Sequence, residues 1–164
     1  MNMQKLEAVT TKVNCALKMI IALFIAVMTL LVTANVFSRY VFHFSLTWSS
    51  ELAQYCMIWA AFLGAAVLVN MDEHLAVDLL EKSATRRARS MLRVFVRGGS
   101  MVFFIILIYY GIILVKSTSG QVAASMGFLP MNLVYLVIPL SGLIMFLGSA
   151  VSLLRVFREE NEES

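Results

Sequence analysis

The sequence predicts an all-α integral membrane protein with four transmembrane helices. Of its 164 residues, 60% are hydrophobic and 14% are charged, whereas a soluble domain has about 45–50% apolar and about 25% charged residues. So much apolar surface argues against a soluble globular domain and against a nucleic-acid-binding protein, despite the net charge of +3. It also excludes a disordered chain, because disordered chains are poor in apolar residues.

Four long runs without charged residues define the expected spans. They contain 20, 20, 18 and 38 consecutive residues without Asp, Glu, Lys or Arg. A helix rises about 1.5 Å per residue, so about 20 apolar residues cross a hydrocarbon core of about 30 Å. We therefore expect helices at residues 16–37, 52–70, 94–115 and 131–154. Pro130 is expected at the entrance of the fourth helix, and Pro139 is expected to kink it.

The basic residues predict that both termini are cytoplasmic. With the N-terminus inside, 11 of the 13 Lys and Arg residues lie on the cytoplasmic side, and Arg39 and Lys116 lie outside. Lys and Arg near helix ends favour the cytoplasmic side. An alternative is that the first apolar run is a signal peptide cleaved near residues 32–34, which would leave three helices.

A short interfacial helix is expected at residues 72–82, between the second and third spans. Leu75 and Leu79, four residues apart, give it one apolar face, as in helices that lie in the membrane interface. His74 and Asp78 have the same spacing and are expected to hydrogen-bond to each other or to lipid headgroups. A protonation switch at His74 is the alternative.

A basic cluster follows this segment. It comprises Arg86, Arg87, Arg89 and Arg93. Each basic side chain near an anionic membrane surface contributes about 1 kcal/mol of attraction, so we expect the cluster to anchor the chain to anionic lipid. A docking site for another protein is the alternative.

The sequence predicts no catalytic, cofactor-binding or metal-ligating residue. Cys15 and Cys56 form no Cys-x-x-Cys motif and lie in no outer loop, which disfavours a disulfide-generating enzyme. His43 and His74 fall at opposite membrane faces, which disfavours a haem held between helices. No carboxylate lies in the middle of a span, where proton-coupled carriers usually place one.

Small residues on two helices offer surfaces for close helix packing. Ala60 and Gly64 lie one turn apart on the second helix, and Gly142 lies on the fourth. Small residues let helix backbones approach in lipid, so these three pack the four helices together or contact a larger membrane partner. Trp59, two turns below Glu51, faces lipid or such a partner.

The first outer loop contains three candidate contact residues. Arg39 and Glu51 flank this loop, at residues 38–50, and are expected either to pair across it or to remain solvated interface charges. An exposed pair contributes about 0–1 kcal/mol. In the functional alternative, the pair fixes the loop for docking of another protein. Trp48 is expected to anchor the membrane interface or to contact a partner.

An ordered series of short motifs resembles a transporter subunit. The motifs are SRYVF at 38–42, WSxELA at 48–53, WxxFLGAA at 59–66, HLxVD at 74–78 and YLVIP at 135–139. Across about residues 20–150, the chain is similar to the small membrane subunit (DctQ-like small permease) of tripartite ATP-independent periplasmic (TRAP) transporters. Ser50 departs from the resemblance, since an acidic residue is expected there beside Glu51.

The resemblance implies an accessory role in the bacterial inner membrane. It implies a large permease subunit that carries the substrate and sodium sites, and a periplasmic binding protein that delivers an organic anion. The small subunit would brace the large one without chemistry of its own. Two alternatives remain: a self-sufficient homo-oligomeric carrier, which would need a polar group at the membrane midplane, and a structural or redox protein. The transported substrate is not specified by the sequence.

Overall fold

The chain is helical over most of its length. The computed structural model describes residues 3–71 and 86–162, and the side chains of residues 11–71 and 98–151. The helices are α1 (Met3–Val41), α2 (Thr47–Met71), α3 (Arg86–Ser117), α4 (Met131–Tyr135) and α5 (Val137–Glu162). Within these described ranges, β structure is limited to an isolated antiparallel bridge between Val122 and Pro130.

Four segments are long and apolar enough to cross a membrane, which confirms the expected all-α, four-span architecture. They are Thr11–Val41, Thr47–Met71, Gly98–Ser117 and Met131–Val151. The first connection is shorter than the predicted 38–50, because α1 continues to Val41 and α2 begins at Thr47. We call the side formed by residues 42–46 and 118–130 the loop end.

The fourth span consists of two helices, and Pro139 explains the break. Pro130 precedes α4 in an extended conformation, with φ −73° and ψ 131°. α4 ends at Tyr135 and α5 begins at Val137. Pro139 has no N–H to donate to the carbonyl of Tyr135 four residues earlier. The expected disturbance therefore lies one turn before the proline, at Leu136.

The spans are arranged as a row in the order α1, α2, α5, α3. α1 packs on α2, α2 packs on α5, and α3 packs on α4 and α5. One third (33%) of the most apolar stretch of α2 and of the fourth span is buried, against 6% for α1 and 11% for α3. The two flanking helices thus leave most of their apolar surface uncovered by the rest of the chain.

Buried side chains join the members of the row. Leu17 of α1, Leu63 and Val67 of α2 and Val137 of α5 form one cluster. A second cluster joins the middle of the row to the far flank, with Ala66 of α2, Phe104 of α3 and Met145 of α5. The core of the protein therefore lies along α2 and α5.

Two sequence-based predictions lie outside the described residues. One is the interfacial helix at 72–82, with His74 and Asp78. The other concerns the basic cluster, whose backbone begins α3 but whose side chains belong to the part of the chain that is not described.

Candidate functional site: the hydrogen-bonded loop end

The first connection is fastened to the helices on both sides of it by Asn35. The Asn35 amide is buried in α1, donates from Nδ2 to Ser50 Oγ at 2.7 Å and accepts at Oδ1 from the Leu46 backbone N–H at 3.1 Å. Nearby, Ser49 Oγ donates to the carbonyl of Leu31 at 3.0 Å. Buried polar groups need such partners, so these bonds fix the start of α2 against α1. Ser50, the departure from the family pattern, is itself a partner in this network.

The turn between α1 and α2 is also internally bonded. His43 has a φ of 54°, a left-handed conformation that is uncommon for residues other than glycine. Ser38 Oγ donates to the carbonyl of Phe44 at 2.9 Å, and Arg39 Nη2 donates to Ser45 Oγ at 3.4 Å. These contacts hold the chain reversal at the loop end.

Glu51 joins the start of α2 to the second connection. Its Oε1 accepts from the Tyr55 hydroxyl at 2.5 Å and from the backbone N–H of Ala124 at 3.0 Å, and its Oε2 accepts from the N–H of Ser125 at 2.7 Å. The Tyr55 hydroxyl also lies 3.4 Å from Met131 Sδ. We call Glu51, Tyr55 and these two backbone amides the Glu51 clasp. The clasp ties the second connection to the start of α2, which directly follows the first connection.

The second connection, residues 118–130, is folded and not an open loop. The N–H of Ala123 donates to the carbonyl of Leu129, and the N–H of Met131 donates to the carbonyl of Gln121, both at 2.9 Å. Ala123 is buried against Tyr55 and Val134. The loop end is therefore a preformed surface.

Of the two alternatives for Arg39 and Glu51, the structure does not show the pair. Within the described part of the chain, Arg39 contacts Ser45, whereas both oxygens of Glu51 are engaged in the clasp. Trp48 lies on the first turn of α2 and is 42% exposed. Trp59 is half-buried, and its ring packs on Phe24 of α1 with centroids 5.7 Å apart.

The small residues divide between inner and outer surfaces. A Cβ on Gly142 would lie 3.0 Å from Ile108 Cγ1, so Gly142 lets α5 approach α3. A Cβ on Gly64 would meet no atom within 4 Å, and Ala60 on the same helix is half-buried. Gly64 therefore remains available to a neighbour outside the chain.

Sequence reasoning missed two sets of residues that hold the helices together. A Cβ on Gly111 would lie 2.9 Å from Pro139 Cδ, which makes Gly111 a close-approach position. At the other end, Asn70 Nδ2 donates to Asn14 Oδ1 at 3.2 Å. The sequence signal for this contact is Asn70 at the end of an apolar run, since a polar side chain in lipid requires a partner.

The loop end carries exposed aromatic side chains. Within the described residues, no group of three or more His, Cys, Asp or Glu side chains could hold a metal ion. The loop end exposes aromatic rings instead, with Phe42 at 69%, Phe44 at 63% and Phe128 at 77%. Such rings suit either the membrane interface or a protein partner.

Comparison with known proteins gives consistent matches. The family model described as "Tripartite ATP-independent periplasmic transporters, DctQ component" matches residues 28–159. A putative TRAP transporter small permease protein of Haemophilus influenzae is 28% identical over 132 residues, covering 80% of this chain and 81% of the relative. The C4-dicarboxylate TRAP transporter small permease protein DctQ of Vibrio cholerae is 33% identical over 89 residues, covering 54% of this chain and 38% of the relative.

A third relative is much longer than this chain. It is the sialic acid TRAP transporter permease protein SiaT of Haemophilus influenzae, which is 36% identical over 90 residues. The match covers 55% of this chain but only 14% of SiaT. The chain therefore spans a minor part of that protein, as it also does of the Vibrio cholerae relative.

Proposed function

Because this chain belongs to the family of DctQ components of tripartite ATP-independent periplasmic transporters, we propose that it serves as the small, non-catalytic permease subunit of such a transporter. It is a multi-pass protein of the bacterial inner membrane. The observation that carries the proposal is the family match over residues 28–159, which includes the whole loop end and the last three spans.

The proposed partner is a large permease subunit that carries the substrate and sodium sites. In SiaT, the region similar to this chain is a small part of one long permease protein. This supports physical association of the present chain with a separate large permease subunit. Only 6% of the most apolar stretch of α1 and 11% of that of α3 is buried within the chain, and their uncovered faces provide the surface for such a partner. The small subunit would brace the large one through them, with the outward-facing Gly64 as a further close-approach point.

The loop end is proposed to face the periplasm and to contact a substrate-binding protein. This orientation follows from the positive-inside rule. Exposed Phe42, Phe44 and Phe128 surround a surface that the Glu51 clasp holds in one shape. Arg39 and Trp48 belong to the same surface and are proposed contacts. The delivered substrate would be an organic anion of the carboxylate type, taken up with sodium.

The opposite end is proposed to be anchored at the cytoplasmic surface. The basic cluster at the start of α3 carries four arginines within eight residues. Their charge favours anionic headgroups of the inner leaflet. The interfacial helix proposed at 72–82, with His74 and Asp78, would lie beside them.

Co-purification from native membranes tests this function. The full chain with a C-terminal tag is extracted in a mild detergent, and the bound proteins are quantified by mass spectrometry. We expect a large multi-span permease in an amount equal to that of the tagged chain. A tagged four-span protein of unrelated sequence serves as the control for non-specific capture. A clean homo-oligomer of this chain that transports solute by itself would contradict the proposal.

A further inference from the structure

A groove of about 430 Å³ runs between α1 and α2 beneath the loop end. It has two chemically different halves. Its deep half is lined by apolar side chains, among them Met28, Val32 and Met57. Its rim, towards the loop end, carries Arg39, Ser50 and Gln54. No acidic side chain is among the lining residues.

The length of the groove corresponds to one leaflet of a bilayer. Met28 and Arg39 lie eleven residues apart on α1, which is about 17 Å along a helix. Half of a hydrocarbon core is about 15 Å. A molecule in the groove would thus reach from the interface at the loop end to the middle of the membrane.

The rim offers hydrogen-bond donors and a positive charge. Arg39 is exposed, and its Nη2 donates to Ser45 Oγ at 3.4 Å. Ser50 Oγ accepts from Asn35, so its own hydroxyl hydrogen is available to a ligand. Gln54 is exposed. Glu51, the neighbouring carboxylate, is held in the clasp and does not neutralise Arg39. A guanidinium with further donors is well suited to a phosphate oxygen.

The apolar half of the groove suits a hydrocarbon chain. Met28, Val32 and Met57 line it, and an extended acyl chain is thin and needs only the van der Waals contacts that such side chains provide.

From this geometry we infer that the α1–α2 groove binds one phospholipid from the leaflet at the loop end. Arg39, Ser50 and Gln54 hold the phosphate, and one acyl chain lies along Met28, Val32 and Met57. The bound lipid fills the outer half of the seam between α1 and α2. This inference requires only that the chain spans a membrane, so it does not depend on the identity of the permease partner.

Lipid retention in native mass spectrometry tests the inference. The full chain, with any co-purifying permease, is equilibrated with vesicles of phosphatidylcholine containing a minor fraction of phosphatidylglycerol and is then released into detergent. We expect one retained phosphatidylglycerol per chain that excess inorganic phosphate does not displace. Arg39→Gln should lower the retained fraction about tenfold, as expected for loss of a charge-assisted hydrogen bond. Lys116→Gln removes a cation at the loop end of α3 and should leave the retained fraction of lipid unchanged.

A second pair of variants tests the acyl half of the groove. Val32→Trp fills the groove from an exposed position, and Val102→Trp places the same ring on the exposed face of α3. We expect Val32→Trp to reduce lipid retention and Val102→Trp to leave it unchanged. Equal retention by all variants would overturn the inference. So would a photo-crosslink from a reactive side chain at Met57 to the large permease in place of lipid.

Discussion

The two halves of the row hold their helices together in different ways. α1 and α2 are joined by polar side chains, with Asn35 bonded to Ser50 at the loop end and Asn14 bonded to Asn70 at the other. α3 and the fourth span are joined by close approach, with Gly111 against Pro139 and Gly142 against Ile108. We call these two helix–helix interfaces the α1–α2 seam and the α3–α5 seam. The hydrophobic effect does not hold either of them together, because lipid is as apolar as the side chains.

This comparison shows two solutions to one problem of membrane folding. In the α1–α2 seam, interhelical hydrogen bonds add to packing, and an aromatic contact between Phe24 and Trp59 fills the middle. In the α3–α5 seam, the absence of a side chain at two glycines gives the backbones room for extensive van der Waals contact. The first seam should therefore be sensitive to loss of polar atoms, and the second to added volume.

The largest expected effect follows from adding one methyl group to the close-packed seam. In Gly111→Ala, the new Cβ meets Pro139 Cδ at 2.9 Å and Pro139 N at 3.0 Å, and a backbone atom cannot rotate away. Overpacking of this kind costs about 1–3 kcal/mol. We expect a lower thermal unfolding midpoint for the purified chain in detergent.

Gly64→Ala is the matched control for that variant. It makes the same chemical change in a membrane helix where nothing lies within 4 Å of the new Cβ. Alanine favours a helix over glycine by about 1 kcal/mol, so we expect unchanged or slightly higher stability. If the two variants unfold alike, the distinction between an inner and an outer glycine is wrong.

The next largest effect is expected from removal of the Asn35 hydrogen bonds in the α1–α2 seam. Asn35→Ala deletes the bonds to Ser50 and to the Leu46 N–H. Interhelical hydrogen bonds in membranes contribute about 0.6 kcal/mol each on average and up to about 1.7, so we expect a loss of about 1–2 kcal/mol in the same measurement. Thr29→Val is the control, because the Thr29 hydroxyl bonds to the carbonyl of Ile25 in its own helix. Equal stability of Asn35→Ala and wild type would contradict a polar seam.

A local effect is expected at the Glu51 clasp, where α2 meets the second connection. All partners of Glu51 are donors, and in Glu51→Gln one of the two acceptor oxygens becomes an amide nitrogen. We expect severalfold faster hydrogen exchange at Ala124 and Ser125 with little change in the spans. Glu51→Asp keeps the negative charge and both acceptor oxygens on a shorter side chain, so it is the control for loss of the charge. Unchanged exchange in Glu51→Gln would show that the clasp does not hold the second connection.

The smallest effect is expected at the other end of the polar seam. Asn14→Ala removes the bond to Asn70 Nδ2, for which we expect a loss of about 0.6 kcal/mol. Chemical denaturation in mixed micelles measures this difference. A loss larger than that of Asn35→Ala would reverse the order of importance of the two ends of the seam.

The number of spans was predictable because charge is excluded from lipid. Three of the four runs that lack charged residues each fall within one helix, and the fourth also contains the second connection. Pro139 marks the fourth span as irregular. The partners within the row were not predictable, because side chains that face lipid and side chains that face a neighbouring helix are both apolar. Gly64 and Gly142 look alike in the sequence, yet one faces outward and the other faces α3.

The loop end was only half predictable for a related reason. Glu51 and Arg39 are charges beside a short loop, so the sequence predicts either a pair or two solvated interface charges. The amides that Glu51 accepts from lie 73 and 74 residues further along the chain. Backbone N–H groups occur at nearly every residue, so no sequence pattern distinguishes the two that meet this carboxylate.

Site-specific photo-crosslinking tests the central claim, that the uncovered faces of the flanking helices serve a large permease. A photoreactive residue is placed at Leu23 of α1, which is 63% exposed, or at Phe103 of α3, which is 57% exposed. Phe104, 5% exposed, is the buried control. In native membranes, we predict crosslinks to the large permease from at least one flanking position and none from Phe104. Crosslinks from both flanks only to a second copy of this chain, or to no protein, would contradict the account.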